Sequence, residues 1–89
     1  MKLYRICTEN KNYPAILDYL DEHFPDGYTV INANGAWQGI REKSLVIEIT
    51  GHGKITLAIA IEHLAYWLKK CNKQQAVMVQ TLDITERII

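Results

Sequence analysis

The sequence lacks an excess of charge of either sign. Ten Lys and Arg residues balance ten Asp and Glu residues over 89 positions, so the formal net charge is zero. A protein that binds nucleic acid through its phosphates needs clustered cationic side chains. The balance therefore argues against a general nucleic-acid binder, and we expect no nucleic acid among the partners of this chain.

Long apolar runs are also missing. No stretch approaches the roughly 18 uninterrupted apolar residues that a membrane span needs. The N-terminal segment turns polar by Thr8 and Glu9, which leaves no room for the apolar core of a secretion signal. We therefore expect no membrane partner and a cytoplasmic location.

Cysteine and histidine are scarce and widely spaced. Cys7 and Cys71 lie far apart, and neither belongs to a Cys-x-x-Cys or His-x-x-x-His pattern. Free cysteine is among the most buried residue types, so both are interpreted as ordinary thiols. His23, His52 and His63 show no spacing typical of metal ligands. The sequence predicts no metal site and no cofactor.

Hydrophobic periodicity is the positive signal. After Pro14, and again up to Cys71, apolar residues recur at steps of three and four, which is typical of amphipathic helices. Runs rich in β-branched and aromatic residues predict strands. The strands are expected over residues 3–8, 28–33, 45–50 and 76–82, and the helices over residues 12–24 and from the turn at 51–54 to Cys71.

The order strand, helix, strand, strand, helix, strand predicts an α+β, ferredoxin-like βαββαβ fold. We expect one domain over residues 1–89, with a four-stranded antiparallel sheet and two helices on one face. Alternation along the third strand places three apolar residues under the helices. These residues are Leu45, Ile47 and Ile49.

The opposite, open face of the sheet is predicted to be half apolar. Val46, Met78 and Leu82 fall on this face, and an uncovered apolar surface on a small domain usually meets another subunit. We predict a homo-oligomer with these three residues in its interface. The alternative is a monomer with scattered exposed apolar residues, which are common on protein surfaces.

Residues 34–44 are expected to form an extended hairpin tip that carries candidate binding residues. Arg41 has a planar fork suited to a carboxylate or phosphate, and Trp37 offers a flat stacking surface. Gln38 and Glu42 add directional hydrogen bonds, so this group is predicted to contact a small anion, a base or a protein partner. In the alternative interpretation, Trp37 anchors a neighbouring subunit and the charged residues form a solvated tip.

The segment Gly51-His52-Gly53-Lys54 is a second candidate contact. A glycine turn that leads into a helix can present amides and a cation to a phosphate, so His52 and Lys54 join the predicted site. The Gly-x-x-x-x-Gly-Lys-Ser/Thr signature is missing, and a plain turn is the alternative.

Catalysis has no recognisable motif in the sequence. No nucleophile stands beside a base in a known pattern. Asp18, Asp21 and Glu22 fall on the solvent side of the first helix. We therefore expect that the chain is not an enzyme.

A family resemblance rests on residues 30–49. This run contains Trp37-Gln38-Gly39-Ile40-Arg41-Glu42 between two strands, and it resembles the strand, Trp-x-Gly-x-x-Glu hairpin and strand of the CutA divalent-ion tolerance proteins and of the nitrogen regulatory P-II proteins. The order of elements is similar over nearly the whole chain. The resemblance implies a compact homotrimer in which the open sheet faces turn inward and ligand clefts lie between subunits.

Together these observations predict a small trimeric binding or regulatory protein. It would sense a small ligand, such as an anion, or modulate a partner, through the hairpin between the second and third strands. The alternative is a protein–protein interaction module, an inhibitor or adaptor, that binds no small molecule.

Overall fold

The computed structural model describes residues 1–89 and contains four strands and two helices. The elements in chain order are β1 (Lys2–Glu9), α1 (Tyr13–His23), β2 (Thr29–Trp37), β3 (Ile40–Gly51), α2 (Ile55–Cys71) and β4 (Met78–Asp83). The strands form one antiparallel sheet in the order β2-β3-β1-β4. The predicted α+β ferredoxin-like arrangement is confirmed.

Both helices cover the same face of the sheet. The inward residues of β3 are fully or almost fully buried, as the alternation predicted, and they meet the inward residues of β1 and apolar positions of both helices. Burying each such side chain stabilises the fold by roughly 1.5–3 kcal/mol. The core consists of Tyr4, Ile6, Ile16, Leu20, Phe24, Leu45, Ile47, Ile49, Ile61, Leu64 and Leu68.

The hairpin between β2 and β3 differs from the prediction. Residues 34–44 are not an open tip, because the ladder continues to the pair Trp37 and Ile40. Only Gln38 and Gly39 form the turn, with φ values of 51° and 80°. Two-residue turns with positive φ match the twist of paired strands. The composition of this segment is poor in strand-forming residues, which is why the pattern did not show the extension.

Asn12 plays a different role from the one its position suggests. An asparagine directly before a helix commonly accepts hydrogen bonds from the first helix amides, but Asn12 makes no such bond and has φ 55°. Its side-chain amide instead donates to the Cys71 carbonyl oxygen at 3.1 Å and to Asn72 Oδ1 at 3.2 Å. The start of α1 is thereby joined to the end of α2. Neither helix is long and apolar enough to cross a membrane.

A buried polar cluster joins the end of β1 to the end of α2. Asn72 and Thr8 are 2% and 3% exposed. The Asn72 amide donates to Thr8 Oγ1, to the Glu9 carbonyl oxygen and to Gln74 Oε1, at 3.2, 3.1 and 3.0 Å. Thr8 Oγ1 in turn donates to Gln74 Oε1. The two buried side chains of this cluster, Thr8 and Asn72, therefore both have hydrogen-bond partners.

Replacing Asn72 with alanine should destabilise the fold by about 1–3 kcal/mol, because Thr8 and the Glu9 carbonyl group lose a buried partner. Urea unfolding monitored by circular dichroism measures the loss. The matched variant is Asn10→Ala, whose side chain bonds Asn32 in an exposed position and whose cost should stay within about 0.5 kcal/mol. Equal effects of the two substitutions would show that the cluster does not hold the elements together.

Candidate functional site

The structure separates the predicted site residues into two groups at opposite ends of β3. Trp37, Arg41 and Glu42 lie at the hairpin, whereas His52 and Lys54 follow the other end of the strand. The strand has 12 residues, and at about 3.3 Å per residue its ends are roughly 35 Å apart. The two groups therefore cannot contact one small ligand within a single subunit.

The hairpin register also divides the first group between two faces. Gly35 pairs with Glu42, and Ala36 pairs with Arg41. Paired residues share a face and successive residues alternate, so Trp37 lies on the same face as Glu42 and Arg41 lies on the other. Trp37 and Glu42 are diagonal neighbours, with their positions about 7–8 Å apart. The predicted combination of indole and guanidinium does not form in one chain.

A pair of carboxyl groups lies at the base of the hairpin. Glu9, at the end of β1, pairs with Ser44 and so comes beside Glu42. Lys11 Nζ lies 2.8 Å from Glu9 Oε2, and this contact lowers the pKa of Glu9. Partial burial, followed by the hydrogen bond to Glu9, raises the pKa of Glu42. One carboxyl is thus held ionised and its neighbour retains a proton more readily than an ordinary glutamate.

We call Glu9, Lys11, Trp37 and Glu42 the hairpin-base site. Sequence reasoning named Trp37 and Glu42 but missed the other two, because only the pairing of β1 with β3 brings them there. Beside the carboxyl pair the open face carries a strip of small residues, with Gly35 across from Glu42 and Ala33 across from Ser44. A Cβ at Gly35 would lie 2.6 Å from Ser44 Oγ, so a side chain there would enter this strip.

The residues predicted to form an oligomer interface share the open face. Val46 and Met78 both pair with Cys7, and Leu82 lies further along the same side of β4. Met78 and Leu82 are 54% and 37% exposed. The Arg5 guanidinium, 3.0 Å from the Glu48 carboxylate, lies on the same face. Around Val46, Met78 and Leu82 the open face thus combines apolar side chains with the Arg5–Glu48 ion pair, and it continues into the hairpin-base site.

The second group lines a cavity of about 600 Å³, which we call the end cleft. Its walls are the end of α1 with the loop that follows, the end of β3, and the first turn of α2. Leu57 packs closely against Gly51 here, because a Cβ would lie 2.2 Å from Leu57 Cδ2 and would displace that side chain. His52 and Lys54 both lie in the wall. No group of three or more His, Cys, Asp or Glu side chains is placed to hold a metal ion.

Comparison with known proteins identifies the fold. No protein-family model and no curated protein matches the chain. A phage SAM lyase in its apo state matches with a TM-score of 0.73 and 17% identity, over 91% of this chain and 78% of the lyase. The phage SAM lyase in complex with S-methyl-5'-thioadenosine matches with a TM-score of 0.63 and 14% identity, over 92% and 80% of the two chains.

The third match is CPII, a nitrogen regulatory PII-like protein from Thiomonas intermedia K12, bound to ADP, AMP and bicarbonate. Its TM-score is 0.60 at 16% identity, over 98% of this chain and 94% of CPII. The predicted distant resemblance to P-II proteins is confirmed at the level of the fold. The chain has a fold shared by small regulatory and ligand-binding proteins.

The prediction that the chain is not an enzyme is contradicted by these matches. It rested on the absence of a nucleophile motif, but the phage SAM lyase is an enzyme of the same fold. A lyase needs no covalent nucleophile, so the absence of a nucleophile motif does not exclude this class of enzyme. Titratable groups with perturbed pKa values in a surface site are instead the usual mark of a functional centre, and the Glu9–Glu42 pair has this property.

Replacing Glu42 with glutamine should stabilise the fold at neutral pH and leave it unchanged in acid. Because the folded-state pKa of Glu42 is raised above 4.5, the stability that its neutral form contributes is lost as the pH rises through that folded value. Glutamine stays neutral, so the advantage of the variant should grow between about pH 4 and pH 7. Denaturant unfolding over this range measures it.

The matched variant is Glu62→Gln, an exposed position on α2. Its stability relative to the unsubstituted chain should change little over the same range. A Glu42→Gln difference that does not vary with pH would show that the two carboxyl groups do not interact.

Proposed function

We propose that the protein is an enzyme that binds S-adenosylmethionine at the hairpin-base site and cleaves it as a lyase. The observation that carries this proposal is the placement of an aromatic ring and a carboxyl pair on one face of a chain with the fold of a phage SAM lyase. The ligand of that lyase, S-methyl-5'-thioadenosine, is what remains when S-adenosylmethionine loses its amino-acid part. The proposal extends this chemistry to the present chain.

The charges of the site suit a sulfonium nucleoside. The sulfonium group of S-adenosylmethionine is a cation, and cations are attracted by carboxylates and by aromatic faces. Glu9 stays ionised but is paired with Lys11, so the surplus negative charge of the site comes from Glu42 in its ionised form, which a bound cation favours. Trp37 is 58% exposed and offers its ring to the adenine, since bases stack well on aromatic side chains. The strip of small residues beside the carboxyl pair leaves room for the rest of the ligand.

Cleavage breaks the bond between the sulfonium sulfur and the amino-acid part, and the electron pair of that bond returns to sulfur. In the proposed lyase step a carboxylate oxygen of the departing amino-acid part forms a new bond to the carbon that leaves sulfur, so that this part closes to a lactone and no water is added. The task of the protein is then to hold the two parts of the substrate in the reactive geometry. The carboxyl pair holds the sulfonium group of the substrate, and the indole of Trp37 holds its adenine.

We further propose that the open face forms the interface of a homotrimer and that the site is completed between subunits. The apolar side chains on this face support an interface, as does the family resemblance, which implies three subunits with inward-facing sheets. A neighbouring subunit would cover the shallow strip and exclude water from it. Water exclusion strengthens the interaction of the carboxylate with a cation.

A second candidate function is control of a protein partner through the hairpin. Trp37 and Ile40, which pair beside the turn, are 58% and 72% exposed. Exposed aromatic and aliphatic side chains that project from a rigid element are typical anchors of protein interfaces. This function needs no small-molecule ligand.

The proposed reaction predicts that the purified oligomer releases S-methyl-5'-thioadenosine from S-adenosylmethionine, measured by liquid chromatography. Trp37→Ala should lower kcat/KM by at least about fivefold, since stacking is worth 1–3 kcal/mol per base. Glu42→Gln should lower it by about tenfold or more, because the carboxyl pair loses one member. Circular dichroism confirms that the variants are folded.

Arg41→Ala is the matched control for these variants, because Arg41 lies on the reverse face of the same hairpin. It should change stability by about 0.5 kcal/mol or less and kcat/KM by less than about twofold. A larger loss with Arg41→Ala than with Glu42→Gln would place the ligand on the other face. If the unsubstituted oligomer releases no product, the lyase proposal is wrong.

The proposed interface predicts that Met78→Asp dissociates or unfolds the assembly. A buried, unpaired carboxylate costs several kcal/mol, and the contact of the apolar side chain is lost as well. Sedimentation analysis of the unsubstituted chain should show three subunits. Thr81→Asp, an exposed position on the opposite side of β4, should leave the assembly intact. A chain that stays monomeric at high micromolar concentration rules out the trimer.

A further inference from the structure

Three aromatic rings form a continuous stack that ends in the end cleft. The ring of Tyr19 stacks on Trp67 with 4.4 Å between centroids and 24° between planes. It also stacks on His23, with 4.0 Å and 17°. Two rings at these distances must occupy opposite faces of Tyr19. His23 is therefore the last ring of the stack, and it is an exposed residue that lines the end cleft.

The imidazole of His23 is held in place. Its Nδ1 lies 2.9 Å from the carbonyl oxygen of Tyr19. A carbonyl oxygen only accepts hydrogen bonds, so Nδ1 is the donor. This bond and the contact with Tyr19 fix the ring plane, so the uncovered face of the imidazole is a pre-formed platform. A platform fixed in advance reduces the entropy that a ligand must lose on binding.

The size and the walls of the cavity suit a molecule larger than an ion. Its volume of about 600 Å³ lies within the range of small-molecule pockets, roughly 300–1,000 Å³. The lining residues include Phe24, Leu57 and Ala60 on the helix side of the sheet, and Thr29 and Thr50, which the strand register places on its open face. A flat ring with a hydroxyl-bearing substituent matches this division.

The charges of the lining disfavour an anionic ligand. With histidine uncharged, Lys54 is the one cation in the wall, against the carboxylates of Asp26, Glu48 and Glu86. Glu48 is neutralised by Arg5, which leaves one positive and two negative charges. A phosphate would gain from Lys54 and be repelled by both carboxylates, whereas sugar hydroxyls can donate to a carboxylate and accept from the ammonium group.

We propose that the end cleft is a second binding site, for an uncharged nucleoside whose base stacks on His23 and whose ribose meets the charged rim. The site is separate from the hairpin-base site and lies at the other end of β3. It does not depend on the proposed lyase reaction, because its ligand is defined by the stack and by the charge of the cleft. It also revises the role of Lys54, which contacts hydroxyl groups rather than a phosphate.

Calorimetric titration of the purified protein with adenosine and with AMP tests the proposal. Adenosine should bind several-fold more tightly than AMP. His23→Ala should weaken adenosine binding by at least about fivefold, the effect of removing a stacked ring. His23→Phe keeps an aromatic face and should retain affinity within about threefold. In the unsubstituted protein, stacking should shift the carbon-bound proton resonances of His23 in nuclear magnetic resonance spectra.

Trp37→Ala serves as the control for the hairpin-base site and should leave the His23 resonance shifts unchanged. Tighter binding of AMP than of adenosine would overturn the charge argument. Loss of adenosine binding in Trp37→Ala but not in His23→Ala would place the nucleoside at the hairpin. If adenosine does not bind and the resonances of His23 do not shift, the proposed nucleoside site is ruled out. A protein that binds adenosine through His23 but does not cleave S-adenosylmethionine retains this site and loses only the lyase proposal.

Discussion

The pairing of β1 with β3 is the constraint on which the rest of the structure depends. It runs over the whole of β1, from Lys2 to Glu9, at the centre of the sheet. It aligns the inward residues of both strands under the two helices and so fixes the core. It also delivers Glu9 to the base of the hairpin, and it brings the end of β1 to the buried amide of Asn72. A shift of one residue would turn every one of these side chains to the wrong face.

The two-residue turn at Gln38 and Gly39 is the second determinant, because it decides which hairpin residues can act together. A longer loop would leave the orientation of the tip residues unspecified. The tight turn continues the ladder to its end, so the register of the sheet also governs the tip. Trp37 consequently joins Glu42 on the open face, whereas Arg41 faces away. The candidate ligand changes with this arrangement, from an anion held by a guanidinium to a cation held between carboxylates and a ring.

The hairpin-base site and the end cleft lie at opposite ends of β3 and differ in their chemical character. The hairpin-base site is shallow, carries perturbed carboxyl groups and continues into an uncovered apolar surface, so a neighbouring subunit would deepen it. The end cleft is formed within one chain, by α1, β3 and α2, and it includes a rigid aromatic stack. Assembly is therefore expected to matter more for the first site than for the second.

The sequence by itself determined the order of the elements, the inward residues of β3 and the position of the apolar open face, because these follow from local periodicity; the resemblance to P-II proteins rests on the residues of the hairpin instead. The sequence did not predict that β2 and β3 stay paired up to the turn, since Asn, Ala and Gly are poor strand formers. The two-residue turn keeps these residues in the ladder despite their low strand propensity. Only the tertiary structure placed Glu9 and Lys11 beside Glu42, separated Trp37 from Arg41, and stacked Tyr19 of α1 on Trp67 of α2. These contacts join residues from different elements or depend on strand register, and no spacing along the chain encodes them.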